Sequence, residues 1–134
     1  MLKYSRQREC IKQYLSNSKE HPTADMVYTH VRKEFPNISL GTVYRNLTLL
    51  VDIGEAMKVD VGDNLDHFDA YVEPHYHIIC DTCGCVEDVF LPVEDKMVKD
   101  AASYYDGEIL SQTVYFRGTC SNCLKKLNTE NIFN

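Results

Sequence analysis

The chain has 134 residues, enough for one compact domain or two small ones, and its 44% hydrophobic and 25% charged residues exclude disordered and fibrous classes. No apolar run approaches the ~20 residues needed to span a bilayer, and the opening MLKYSRQREC lacks the apolar stretch of a secretion signal. The chain therefore reads as cytoplasmic, with no membrane partner. In a reducing compartment its six cysteines read as metal ligands or free thiols before disulfides. The net charge of −6 hides an asymmetry: residues 1 to 49 carry eight basic against four acidic side chains, and the remainder six against sixteen. A basic first third and an acidic remainder predict two different tasks.

The periodicity predicts a first helix from about Ser5 to Tyr14 or Leu15, with Ser5 as its cap and Ile11 and Leu15 on one face. A second helix is expected after Thr23, burying Val27, Val31 and Phe35 and stopping at Pro36. A third begins at Ser39, with Leu40, Val43, Leu47, Leu50 and Val51 on its apolar side, and closes at Gly54. The alternating run from Ala56 to Val61, the turn Gly62-Asp63-Asn64 and the run from His67 to Val72 predict a hairpin. Three helices and a hairpin make a winged helix-turn-helix, here over residues 1–72, whose third helix enters the major groove of DNA. Beyond Glu73-Pro74 the pattern becomes strand (HYHIIC), knuckle (CDTCGC), strand (VEDVF), a helix after Leu91-Pro92, strand (EILSQTVYFRG) and knuckle (CSNC). Residues 75–134 are thus expected to form a small α/β unit, and the whole chain an α+β fold.

Cys80 and Cys83 form one Cys-x-x-Cys pair, and Cys120 and Cys123 another, with 36 residues between the pairs. Two such knuckles can place four thiolates tetrahedrally on Zn²⁺, and a closed four-sulfur shell is structural because no position stays open for substrate. One Cys-x-x-Cys can equally be a redox motif, but the βαβ pattern that accompanies thioredoxin-like redox pairs is missing. Cys85 is expected to point away from the knuckle as a spare thiol, and Cys10 to be a core thiol of the first helix.

His75 and His77 stand two apart on a predicted strand, so both imidazoles face one side and can share a cation. A strand histidine is as often simply hydrogen-bonded. Asp69 precedes the pair, Asp88 follows it, and His21 lies in the loop before the second helix. On the third helix Thr42, Arg45 and Asn46 lie opposite the apolar stripe, suited to phosphates and base edges. A solvated helix face carries the same pattern.

The stretches HPTAD, SLGTVYRNL, HFDAYVEPHYHIICDTCG and GTCSNC, in this order and spacing, resemble the ferric uptake regulator family of metal-dependent repressors, and within it most closely the peroxide-responsive repressors. The resemblance covers nearly the whole chain. It implies a non-enzymatic repressor that binds palindromic operator DNA as a homodimer through the second half, with one structural zinc per chain. It further implies a regulatory Fe²⁺ or Mn²⁺ site of His21, Asp69, His75, His77 and Asp88, a mixed set of borderline and hard ligands that suits those ions. Tyr44 joins the expected DNA contacts, although core packing competes for it. In the peroxide sensors of the family, iron-dependent reaction with H₂O₂ hydroxylates a ligating histidine and releases metal and DNA. By position the oxidised residues would be His21 and His75. Asp88 favours that subgroup, since iron-sensing relatives typically carry glutamate there; an iron- or other-metal-responsive uptake regulator without peroxide sensing is the alternative. His67 stands as an extra potential ligand or a solvated wing histidine, and no histidine occurs in ILSQTVYFRG for an additional metal site.

Overall fold

The computed structural model describes residues 2–132, which form two compact units divided between Glu73 and Pro74. In the first unit α1 (Arg6–Asn17), α2 (Ala24–Val31) and α3 (Leu40–Asp52) pack on one another, and β1 (Met57–Val59) pairs with β2 (His67–Asp69) as an antiparallel hairpin. This is the winged helix-turn-helix arrangement.

Each helix starts where a side-chain oxygen takes up an otherwise unpaired N–H. Ser5 accepts from Arg8, Thr23 from Met26 and Ser39 from Thr42. Ile11, Val27, Val31, Val43, Leu47 and Leu50 are wholly buried, so the three apolar stripes meet in one core closed by Phe68 from the hairpin. Leu47→Ala should therefore destabilise this unit by about 2–5 kcal/mol, the cost of lost transfer energy plus a cavity. A urea titration followed by circular dichroism measures it, and a cost below about 1 kcal/mol, no more than a surface substitution gives, would contradict the packing.

Several boundaries differ from expectation. Helix α2 ends at Val31, and the chain reaches Pro36 through tight turns, with the Phe35 and Glu34 N–H groups both on the Val31 carbonyl. Phe35 is consequently only half-buried against the core. Leu40, in the first turn of α3, is exposed, and Val51 is half-buried. Gly54 closes α3 with φ of 79°, a conformation that suits glycine. The wing is shorter in strand and longer in loop than the alternation predicts: pairing stops at Val59 and resumes at His67, with Gly62 and Asn64 both at positive φ between them.

The second unit holds a three-stranded sheet in the order β4-β3-β5. Strand β3 (Tyr76–Cys80) is central, antiparallel to β4 (Val86–Val89) and parallel to β5 (Phe116–Gly118). Helices α4 (Lys96–Ala102) and α5 (Ser121–Ile132) complete it. The expected long strand EILSQTVYFRG contracts to three residues, because only Phe116–Gly118 finds a ladder partner, and Leu110 within it is 83% exposed. Helix α5 does not follow from the knuckle motif; it grows directly out of it. Among the described residues the buried apolar side chains of this unit are Val86, Cys80 and Cys123. So small a core needs another source of cohesion. No helix among the described residues is long and apolar enough to cross a membrane.

Candidate metal centres

The first centre is built by the end of β3 and the start of α5. After Cys80 the chain folds back in a tight knuckle, with the Gly84 N–H on the Cys80 carbonyl at 2.8 Å and the Cys80 N–H on the Cys85 carbonyl at 2.9 Å. Gly84 takes φ of 78°, which lets the loop turn so sharply. The parallel pairing of β5 brings Gly118 opposite Cys80, and the Asp81 N–H bonds the Gly118 carbonyl at 2.8 Å, so the second cysteine pair arrives beside the first.

The sulfurs of Cys80, Cys83, Cys120 and Cys123 all lie within 4.8 Å of one another. Four sulfurs about 2.3 Å from a tetrahedral zinc stand roughly 3.8 Å apart. The Cys83 and Cys120 sulfurs are 3.8 Å apart. Backbone N–H groups are aimed at the sulfurs as they would be at thiolates: Cys120 and Cys83 donate to the Cys80 sulfur at 3.3 and 3.5 Å, and Cys123 donates to that of Cys120 at 3.5 Å. These bonds bring the Cys80 thiol down to about 6. The cluster fits zinc and has no vacant side for a substrate.

Cys85 departs from expectation. Instead of pointing away, its thiol faces Cys83 and Cys120, and burial together with those two neighbours raises its pKa. A thiol so disfavoured as thiolate is a protonated neighbour of the cluster. The reason lies in the knuckle, which keeps Cys85 paired to Cys80 before β4 begins at Val86. Cys10 donates its S–H to the Glu34 carboxylate at 3.2 Å and is pushed up to about 11 by burial first and that partner second, as befits an inert core thiol.

The second group of ligand-type residues in this unit follows from strand register. Two-residue spacing puts the His75 and His77 rings on one side, their centroids 4.4 Å apart, and antiparallel pairing sets Asp88 directly across from His77. One carboxylate oxygen of Asp88 lies 2.6 Å from His75 Nε2 and 3.3 Å from His77 Nε2. Both imidazoles are buried, and Phe90 stacks on His75 with centroids 5.3 Å apart. Two ring nitrogens and a carboxylate oxygen thus converge on one point, the shared-cation arrangement that the spacing of the histidines allows.

In the first unit His21 Nε2 lies 3.1 Å from Asp69 Oδ2, both side chains buried. His21 has φ of 51°, the left-handed region, which costs a residue bearing a Cβ about 1–2 kcal/mol. Tertiary contacts hold it there: the Phe68 N–H bonds the Pro22 carbonyl at 3.0 Å, and Thr23 bridges to His67. His67 itself is buried, at odds with a solvated wing residue, and its two ring nitrogens are occupied by the His21 carbonyl and the Asp63 carboxylate. Neither role anticipated for it holds in this arrangement. A histidine in a strand that alternates poorly was the available signal, and Asp63 in the wing turn gave none beyond turn chemistry.

On α3, Tyr44 and Arg45 are exposed and Thr42 and Asn46 half-buried. Thr42 Oγ1 accepts from Arg45 at 2.8 Å, while the Asn46 side chain donates one of its two N–H groups back to the Thr42 carbonyl at 3.0 Å. Tyr44 is 44% exposed, so core packing does not claim it.

A sequence profile of the ferric uptake regulator family matches residues 1–117. The chain belongs to that family. A peroxide-responsive repressor PerR of Staphylococcus epidermidis is 37% identical over 122 residues, which are 91% of this chain and 81% of the relative. Among solved structures of family members, the peroxide stress regulator of Campylobacter jejuni is 31% identical, with a TM-score of 0.63 over 87% of this chain and 88% of that one. The ferric uptake regulator Fur of Helicobacter pylori, at 24% identity, shares the fold with a TM-score of 0.70 over 92% and 83% of the two chains.

Proposed function

We propose that this member of the family is a metal-dependent repressor that senses hydrogen peroxide, binding palindromic operator DNA as a homodimer. The first unit, residues 1–72, is the DNA-binding domain, and residues 75–134 are the dimerisation and metal-binding domain. Zn²⁺ on Cys80, Cys83, Cys120 and Cys123 is structural, one ion per chain. His21 and Asp69 from one domain, with His75, His77 and Asp88 from the other, hold one regulatory Fe²⁺ or Mn²⁺.

The observation that carries this reading is the convergence of His75 and His77 on Asp88. Imidazole and carboxylate donors without thiolate suit iron or manganese rather than a second structural zinc. A metal that draws ligands from both domains favours the arrangement in which both reach it, and stabilises that arrangement by its differential affinity. The DNA-binding form is the metal-bound one. Fe²⁺ held by these ligands would supply redox chemistry with H₂O₂, and the rings of His21 and His75 would be the groups oxidised. Loss of either imidazole as a donor then releases the domains from that arrangement. Exposed apolar side chains of the second unit, among them Leu110, Met97 and Leu124, supply surface for the homodimer.

In α3, Tyr44, Arg45, Thr42 and Asn46 face the operator, with Arg45 held by Thr42. An arginine so fixed suits bidentate contact with guanine, and Arg45→Ala should weaken operator binding by about 1–3 kcal/mol while relaxing specificity at one position. Mobility-shift titration on a duplex selected by the Mn²⁺-loaded protein reads both effects, and unchanged affinity with unchanged base preference would remove Arg45 from the interface.

Peroxide sensing is tested on the same duplex. The Fe²⁺-loaded protein should release it after micromolar H₂O₂, the Mn²⁺-loaded protein should not, and mass spectrometry should find one added oxygen on a peptide carrying His21 or His75. If iron-loaded protein keeps its DNA and no histidine gains oxygen, the protein is an iron- or other-metal-responsive uptake regulator without peroxide sensing.

A further inference from the structure

His21 must adopt a left-handed backbone for its imidazole to meet Asp69, and no glycine or asparagine eases that turn. The segment is held at two successive peptides: the Phe68 N–H bonds the Pro22 carbonyl at 3.0 Å, and His67 Nδ1 lies 2.8 Å from the His21 carbonyl oxygen. The other His67 nitrogen, Nε2, lies 2.7 Å from Asp63 Oδ2. His67 thus bridges two partners far apart in the chain, one at each ring nitrogen. The Asp63 end is fixed in turn, its other oxygen accepting the Leu65 N–H at 3.1 Å. Burial pushes the Asp63 carboxyl up, yet the His67 hydrogen bond and the Leu65 N–H together bring it below its ordinary value. A buried imidazole thus staples the tip of the wing to the backbone of His21.

We propose that His67 is a positioning residue for His21: by bridging the His21 carbonyl and the Asp63 carboxylate it holds the left-handed turn that presents the His21 imidazole beside Asp69, and so sets the affinity of the regulatory site without ligating the metal. The inference rests on the reading of His21 and Asp69 as ligands. It also makes the wing loop part of the metal site, because Asp63 lies in the turn of the hairpin and reaches His21 through one side chain.

The test uses full-length, zinc-loaded protein and Mn²⁺ as probe, followed by electron paramagnetic resonance. His67→Phe keeps an aromatic ring and removes both ring nitrogens; Asp63→Ala removes only the outer anchor and serves if His67→Phe fails to fold. Loss of a group that orients a ligand typically weakens metal binding about 10–100-fold, and His67→Phe should fall in this range with Asp63→Ala showing a smaller loss. The double variant should be no worse than His67→Phe, since both act through one bridge. The number of imidazole nitrogens coupled to Mn²⁺ by electron spin echo should match the parent protein. A nitrogen coupling that survives in His21→Ala and disappears when His67→Phe is added would make His67 a ligand and overturn the proposal. Parent-like Mn²⁺ affinity in both single variants, while His21→Ala has lost it, would also overturn the proposal and leave the ligand assignment standing. If His21→Ala binds Mn²⁺ as the parent does, the ligand assignment itself falls.

Discussion

Replacing Cys120 by serine should empty the four-sulfur site and unfold the second unit while the three-helix core of the first persists. Among the described residues that unit buries little besides Val86 and two of the cysteines themselves, so packing alone cannot offset the entropy of ordering it. Zinc on the four thiolates would supply what is missing: structural sites of this type are worth about 10–16 kcal/mol at neutral pH, and binding free energy becomes folding free energy when the site does not exist in the unfolded chain. The ion ties the end of β3 to the β5–α5 junction across 36 residues. Elemental analysis should give one zinc per chain in the parent protein and none in Cys120→Ser. Hydrogen exchange should lose protection at Tyr76–Cys80 and Phe116–Gly118 but retain it in α1 to α3. Cys85→Ser should keep its zinc. A zinc-free protein with a protected second sheet would overturn the structural role.

Acid should release the same ion. The Cys120 and Cys83 N–H groups bring the Cys80 thiol down to about 6, whereas the Cys120 side chain and burial hold Cys123 up at about 12. A thiol whose folded value lies below its unfolded one contributes stability above the unfolded value, and loses it as pH falls through the folded one. Zinc must also displace the proton from Cys123, so loading releases protons and weakens as pH falls. Zinc affinity, measured by chelator competition, should therefore fall progressively as pH is lowered from 9 to about 6, and a pH-independent affinity would contradict thiolate coordination.

His77→Ala should abolish metal-dependent operator binding without disturbing zinc. His77 is buried across the ladder from Asp88, and its loss removes one of the two imidazoles that meet that carboxylate. Disrupting an outer partner of a metal typically costs 10–100-fold in affinity, so loss of a ligand should cost more than about 100-fold in Mn²⁺ affinity. Mobility shift across a Mn²⁺ series, with zinc measured on the same samples, separates the regulatory from the structural ion. Mn²⁺-dependent DNA binding at parent affinity would remove His77 from the site.

Much of this was legible because the signals are local. Ser5, Thr23 and Ser39 cap helices through atoms three residues away, and the stripes of α1 to α3 repeat at the helical period. The two Cys-x-x-Cys pairs and the His75–His77 spacing are equally short-range. Boundaries were less legible where pairing decides them. The run EILSQTVYFRG has strand character throughout, but hydrogen bonds form only where β3 lies alongside.

By itself, the sequence determined the helices α1 to α3, the four thiolates and the two histidines of one strand face, because each depends on spacing within a few residues. Only the tertiary structure decided that Cys85 turns toward the cysteine cluster, that Asn46 bonds its own helix, and that His67 is buried between the Asp63 carboxylate and the backbone of His21. Those outcomes depend on which polar groups meet away from water, where each N–H and each carboxylate must find a partner. Contacts between residues 46 positions apart, such as His21 and His67, leave no periodic trace in the chain.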